Sequence, residues 1–192
     1  CYSCGKSMRN QEKEYCSDCR QHPKNFERGM GLCIYQKPVT DSLAAIKYKN
    51  ERKFAQYYLE EIRKRKYREL LRLKADAVIP VPIYKKKKRK RGFNQAELIA
   101  GELEQLMGIP MDCEALVRVV KTVPMKELDN AHRVKNLQNA FQVRGKVVRY
   151  RKVLIVDDIY TTGATFDACA TVLKHAGVQK VYGVSLCVGD GF

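Results

Sequence analysis

The sequence predicts an α/β fold: a parallel β-sheet flanked by helices, preceded by a small four-cysteine metal knuckle. Three observations carry that prediction. The first is the run Val153-Leu154-Ile155-Val156, unbroken by polar residues, which suits a strand buried on both faces of a parallel sheet. The second lies directly after that run: adjacent carboxylates (Asp157, Asp158), a loop of small and hydroxylated residues, then Phe166, Ala170, Val172 and Leu173 at helical spacing. The third is a pair of Cys-x2-Cys units near the start of the chain.

At 192 residues the chain has room for one ordinary domain and a small appendage, which divide as 1–25 and 30–192. A hydrophobic share of 45% supplies a real core. No apolar stretch is long enough to span a membrane and no signal-like segment opens the chain, so a cytoplasmic location is expected. Because the chain begins at Cys1 and not Met, processing or truncation upstream is expected. The formal charge of +16 is unevenly spread: residues 63–91 hold fourteen Lys and Arg against Glu69 and Asp76. Such a block implies an anionic partner, either nucleic acid or a polyphosphate. Tyr48, Tyr57, Tyr58, Tyr67, Tyr84 and Phe93 run through the same half, as stacking surfaces for bases or as half-buried packing residues.

In chain order, Cys1, Cys4, Cys16 and Cys19 have the spacing of a four-thiolate zinc site, and Gly5 lets the first knuckle turn. Disulfides compete with that reading, but secretory features are absent, and Cys33, Cys113, Cys169 and Cys187 sit in apolar surroundings. A module this short needs the metal as its core. A polar bridge over residues 20–31 leads to a short strand at residues 32–35. Two helices are expected between Asp41 and Leu73, broken at Asn50, the second with Phe54, Tyr57, Tyr58, Leu59 and Ile62 on its apolar face.

Residues 77–82 read as a strand ended by Pro80, Val81 and Pro82. Lys85, Lys86, Lys87, Lys88, Arg89, Lys90 and Arg91 then form a run expected to be a mobile, solvated loop. A loop at a strand's carboxyl end lines the ligand crevice of an α/β sheet, so the run is expected to face pyrophosphate or a nucleic-acid strand. Arg133 and Asn136 share one face of a further helix, either stabilising the surface or binding the same anion. The helix after the carboxylates is expected to run to His175 and stop at Gly177, before a last core strand over residues 181–188.

The run VLIVDDIYTTGAT, residues 153–165, unites these elements. Its strand, loop and helix N-terminus offer backbone N–H donors, hydroxyls and a positive helix end to a phosphate, while the paired acids suit a vicinal diol. It resembles the phosphoribosyl-pyrophosphate (PRPP) motif of the type I phosphoribosyltransferases. The resemblance implies that Asp157 and Asp158 take the ribose hydroxyls, that Thr161, Thr162, Gly163, Ala164 and Thr165 take the 5′-phosphate, and that Mg2+ accompanies PRPP. It also implies a phosphoribosyltransferase-like sheet, with the loop after Pro80-Val81-Pro82 near pyrophosphate.

Further features resemble the ComF late-competence proteins over nearly the whole chain: the Cys4 knuckle, IPVP, RGFNQ (Arg91, Asn94, Gln95), and Arg133 and Asn136 followed by Ala140-Phe141. That resemblance implies a bacterial protein of natural transformation that handles incoming single-stranded DNA, binds PRPP, and works with other competence or DNA-processing proteins. Met125 departs from the pattern, since the family often has glutamine there. The alternative is an active phosphoribosyltransferase with an unknown acceptor, because nothing in the chain spells an acceptor pocket and no catalytic residue is assigned.

Overall fold

The computed structural model describes residues 1–10, 12–49, 51–120, 137, 139–145 and 147–189. After a short helix α1 (Ser17–Gln21) come β1 (Arg28–Ile34), α2 (Val39–Lys49) and α3 (Arg52–Arg72), then β2 (Ala77–Pro80), α4 (Lys85–Arg91) and α5 (Gln95–Met107). The hairpin β3 (Leu116–Arg118) and β4 (Phe141–Val143) is followed by β5 (Lys152–Tyr160), α6 (Ala164–His175) and β6 (Lys180–Val188). The main sheet has the order β1-β6-β5-β2, and every pairing in it is parallel.

The central strand shows why. Val153, Leu154, Ile155 and Val156 are all fully buried, and their alternation serves two layers. Val153 and Ile155 face a cluster with Phe166, Ala170 and Leu173 of α6. Leu154 and Val156 face Ile46, Tyr58, Ile62, Ile99 and Leu103 of α2, α3 and α5. A strand with helices on both sides has no polar face to show, hence the unbroken apolar run. At Gly183 of β6 an added Cβ would collide with the Phe166 ring, so helix and sheet close up only because this residue is glycine.

The structure corrects two expectations. β1 begins at Arg28, inside the stretch read as a polar bridge, because six of its residues pair along β6 from Arg28↔Tyr182 to Ile34↔Val188. The cationic run is helix α4 and not a loop. Gly92 terminates it with φ 84° and an N–H donated to the Lys88 carbonyl at 2.8 Å; Lys88 pairs with Glu97 of α5 at 2.6 Å. The expected residues Met125, Arg133 and Asn136, and the break at Asn50, lie outside the described residues.

Asn94 joins this helical pair to the sheet. It is 2% exposed, donates from Nδ2 to the Val81 carbonyl at 3.0 Å, and accepts from the Ala96 N–H at 3.2 Å as the cap of α5. Asn94→Ala removes a cap worth about 1 kcal/mol. It also orphans a buried carbonyl, at about 1–3 kcal/mol. The thermal unfolding midpoint should therefore drop by at least about 5 °C; an unchanged midpoint would show that Asn94 does not hold the Val81 loop in place.

Candidate functional site

The N-terminal residues fold around their sulfurs. Gly5, at φ 75°, donates its N–H to the Cys1 carbonyl at 2.9 Å, and Cys16 is the residue before α1, which carries Cys19 inward. The four Sγ atoms of Cys1, Cys4, Cys16 and Cys19 all lie within 4.8 Å of one another, with Cys4 and Cys16 at 3.8 Å. A tetrahedron with Zn–S bonds of about 2.3 Å has S···S edges of about 3.8 Å, so the cage fits one zinc ion. All eight cysteines are free thiols. The hydrogen bond with Cys4, joined by one with Ser3, lowers the Cys19 thiol to about 6. Zinc in such a closed four-thiolate cage supplies folding energy and leaves no open position for catalysis. The knuckle is stitched to the sheet: Gly29 of β1 donates its N–H to the Ser3 carbonyl at 2.6 Å, and Gly5 packs on the Gly29 backbone.

The second cluster lies where β5 leaves the sheet. β5 continues through both carboxylates, with Asp157 opposite Ser185 of β6. Asp157 is half-buried and accepts the Asp158 N–H at 2.8 Å; Asp158 pairs with Lys47 of α2 at 2.5 Å. Burial, reinforced by the neighbouring Asp158 charge, pushes Asp157 up to about 7. Arg118 of β3 lies over the Phe141 ring at 5.4 Å, and Asp157 opposes the downward shift that burial imposes on its guanidinium. Beyond Tyr160 the chain turns through Thr161 and Thr162 to Gly163, at φ 80° directly above the Tyr160 ring, where a Cβ would collide.

α6 starts at Ala164 with no side-chain cap; only a long 3.5 Å bond from the Ala164 N–H reaches Thr162 Oγ1. Its first N–H groups therefore border a shallow recess lined by Asp157, the residues 159–165 and Phe166. The arrangement suits an anion at the helix end with a polyol beside the carboxylates.

The residues expected near pyrophosphate surround this point unequally. Val81 N–H donates to the Val156 carbonyl at 2.8 Å, so the Pro80-Val81-Pro82 turn adjoins the acids. Asn94 is spent on capping α5 and holding Val81. Gln95, 5% exposed, accepts from Arg91 Nη1 at 2.5 Å, while its Nε2 has no hydrogen-bond partner; with Asp158 it lines a small recess. Arg91 also lies over the Tyr48 ring at 5.6 Å. Lys87 is shifted down by burial and then by Arg91, Lys47 and Arg118, with Asp158 opposing that shift.

Among the described residues, Lys85, Lys86, Lys87, Arg89 and Lys90 form no ion pair. The other half of the basic block differs. Lys64 and Arg65 pair with Glu61, and Lys66 with Glu69, which also holds Arg28 at the start of β1. Sequence reasoning did not single out Lys47, Arg118 or Tyr160. Lys47 and Arg118 reach the acids only through tertiary contact; Tyr160, inside the motif, was legible only as an aromatic in a loop of small residues.

An α/β protein with a parallel main sheet, an uncapped helix end beside paired carboxylates and a four-thiol knuckle is the class these features define. The chain belongs to the ComF family of competence and DNA-utilization proteins. It is 30% identical over 176 residues to DNA utilization protein YhgH of Shigella flexneri, covering 90% of this chain and 77% of that one. Competence protein F of Haemophilus influenzae is 29% identical over 201 residues, covering 94% of this chain and 86% of the relative. Competence protein ComFC of Streptococcus pneumoniae is 25% identical over 193 residues, covering 96% and 80%. No protein-family model matches the chain.

Among solved structures, a purine phosphoribosyltransferase from Pyrococcus horikoshii superposes with a TM-score of 0.42 at 17% identity, covering 67% of this chain and 72% of that one. Glutamine PRPP amidotransferase from B. subtilis, complexed with ADP and GMP, gives 0.37 at 22%, covering 57% and 22%. Both are likenesses of chain path alone, and the α/β assignment rests on the sheet itself.

Two predictions test the site. Freshly reduced protein should contain about one equivalent of zinc by elemental analysis, and Cys16→Ser should lose most of it; a metal-free parent would refute the cage. Asp157 binds its proton more tightly folded than unfolded, so its contribution to stability falls as pH rises from about 4 through 7. Asp157→Asn should consequently melt higher than the parent at pH 8, by about 2–4 °C per kcal/mol relieved, with the gap closing near pH 4.5. A pH-independent gap would show that Asp157 is not the group whose ionisation costs stability.

Proposed function

We propose that this protein is a competence factor of the bacterial cytoplasm that binds PRPP in the crevice at the end of β5 and single-stranded DNA along α4. The ribose hydroxyls are taken by Asp157 and Asp158, the 5′-phosphate by the N–H groups and hydroxyls of Thr161, Thr162, Gly163, Ala164 and Thr165, and Mg2+ accompanies the pyrophosphate. The names of the relatives, competence and DNA utilization, support the DNA role. No helix among the described residues is long and apolar enough to cross a membrane. The observation that carries the reading is the charge around the crevice: an uncapped helix end and paired acids, flanked by six cations of α4 that no carboxylate among the described residues answers.

A second reading, phosphoribosyl transfer from PRPP to an acceptor, is favoured by Asp157. A carboxyl held near 7 exchanges a proton readily at neutral pH, as general acid–base work requires.

One crossed experiment separates the parts. Asp157→Ala with Asp158→Ala removes acceptors worth about 1.5–3 kcal/mol each, so calorimetry should show PRPP affinity down at least tenfold. Replacing Lys85, Lys86, Arg89 and Lys90 with Gln should flatten the log–log salt dependence of single-strand binding by up to about 3, at about 0.7 per phosphate contact. Unchanged PRPP affinity would reject the cradle assignment, and an unchanged slope the α4 assignment. Pyrophosphate release with a panel of acceptors would move the conclusion to the transferase.

A further inference from the structure

An open groove lies between α3 and α5, and none of its lining residues lines the recess at the end of β5. Its volume of about 530 Å³ falls within the range of small-molecule sites, about 300–1,000 Å³. Leu59 and Ile62 of α3 and Leu103 and Leu106 of α5, all buried or half-buried, form an apolar floor. The exposed lining residues form a polar rim. Tyr67, 39% exposed, stands there with Arg63 one turn earlier on the same helix, so both lie on one side of the groove. Glu60 and Glu102 complete the rim with two amides, Gln56 and Gln105, and neither carboxylate forms an ion pair among the described residues.

The outer side of α3 is charged for a polyanion. Arg63, Arg68 and Arg72 are exposed, and no carboxylate among the described residues answers them. Lys64 and Arg65 pair with Glu61 but keep side-chain exposures of 67% and 66%, so those pairs are weak and yield to a phosphate. Tyr57, 58% exposed, follows one stripe of the helix with Lys64 and Arg68. Cations interleaved with exposed tyrosines suit a strand whose phosphates and bases are bound separately. The groove itself excludes phosphate, because Glu60 and Glu102 would repel it. It accepts what those carboxylates and the apolar floor both satisfy: a flat ring that stacks on Tyr67 and carries amino N–H donors. An apolar peptide would fill the floor and leave the arginines and both carboxylates unanswered.

We propose that the α3–α5 groove seats one unstacked base of a single-stranded DNA. The base lies against Tyr67, its amino group donates to Glu60 or Glu102, and the flanking phosphates lie over Arg63 and Arg68. This rests on the single-strand reading above and adds to it a contact surface apart from α4. It also adds a preference: cytosine offers an amino group to a carboxylate, and thymine has none.

The test follows the fluorescence anisotropy of end-labelled oligo-dC, oligo-dT and an abasic strand of equal charge on the full chain. The parent should bind oligo-dC about fivefold more tightly than oligo-dT, the weak end of discrimination by a base contact. Tyr67→Ala should lower oligo-dC affinity about tenfold and leave the abasic strand unaffected, as loss of one stacked base requires. Glu60→Gln with Glu102→Gln, both on the exposed rim, should bring the dC:dT ratio to about one. Arg63→Gln with Arg68→Gln should flatten the log–log salt dependence by up to about 1.4, at about 0.7 per phosphate contact. An abasic strand held by the parent as tightly as oligo-dC overturns the proposal, and so does a dC:dT ratio that survives the loss of both carboxylates. Competition by free dCMP near the oligomer's Kd gives the groove to a free nucleotide and overturns the strand assignment. If the four-Gln variant of α4 flattens the slope while the groove variants match the parent, the α4 reading stands and the groove is refuted. If the parent holds no strand at all, the single-strand reading falls and the groove with it.

Discussion

Burial of β5 on both faces is the constraint on which the site depends. Its backbone is hydrogen-bonded to β2 on one edge and β6 on the other, and its side chains fill two helical layers. A strand held on four sides cannot shift, so the residues at its end emerge at one fixed place. That place receives two carboxylates. Their mutual repulsion and partial desolvation are unfavourable, and the surroundings offset them incompletely: Lys47 pairs with Asp158, while the Asp158 N–H, Lys47 and Arg118 draw Asp157 down without cancelling the shift up. Strain of this kind at the mouth of a cleft is what a binding site shows when its partner supplies the missing hydrogen bonds.

The net charge of +16 acquires a direction in the folded chain. On α3, Lys64 and Arg65 are answered by Glu61 and Lys66 by Glu69, and Glu69 also holds Arg28 where β1 begins. Cations of α4 stand at the carboxyl edge beside the acids, and among the described residues only Lys88 of that helix is paired with a carboxylate. Fields from exposed charges fade over about 8–10 Å at physiological salt, so an anion entering the crevice feels chiefly the cations that stand near it. The helical form matters too. It puts Lys87 and Arg91, four residues apart, on one face, with Arg91 held by Gln95 and Tyr48, while Lys88 turns to Glu97.

The N-terminal knuckle is part of the same body. Cys4 and Cys19 belong to the buried cluster that also holds Ile155, Phe166 and Tyr160, and the Ser3 carbonyl continues the bonding of β1. A stretch this short has little apolar surface of its own, and it borrows the wall of the main core in addition to any metal it binds.

Much of this was legible in the residues themselves. Val153 to Val156 announced a doubly buried strand, Cys-x2-Cys twice announced a thiolate cage, and Asp157 to Thr165 announced a carboxylate pair followed by a small-residue loop and a helix, because each depends on neighbours only a few positions away. The extent of β1 was not legible, since a glycine-rich stretch becomes a strand only when β6 lies beside it. Nor was the form of the cationic run: charge density alone argues for a loop, and the Glu97 partner with the Gly92 terminus decides for a helix. The roles of Lys47, Arg118 and Tyr160 were hidden for the same reason. Their partners are brought to them by strand pairing and helix packing across long separations, and a linear pattern contains no term for contacts that exist only once the sheet has formed.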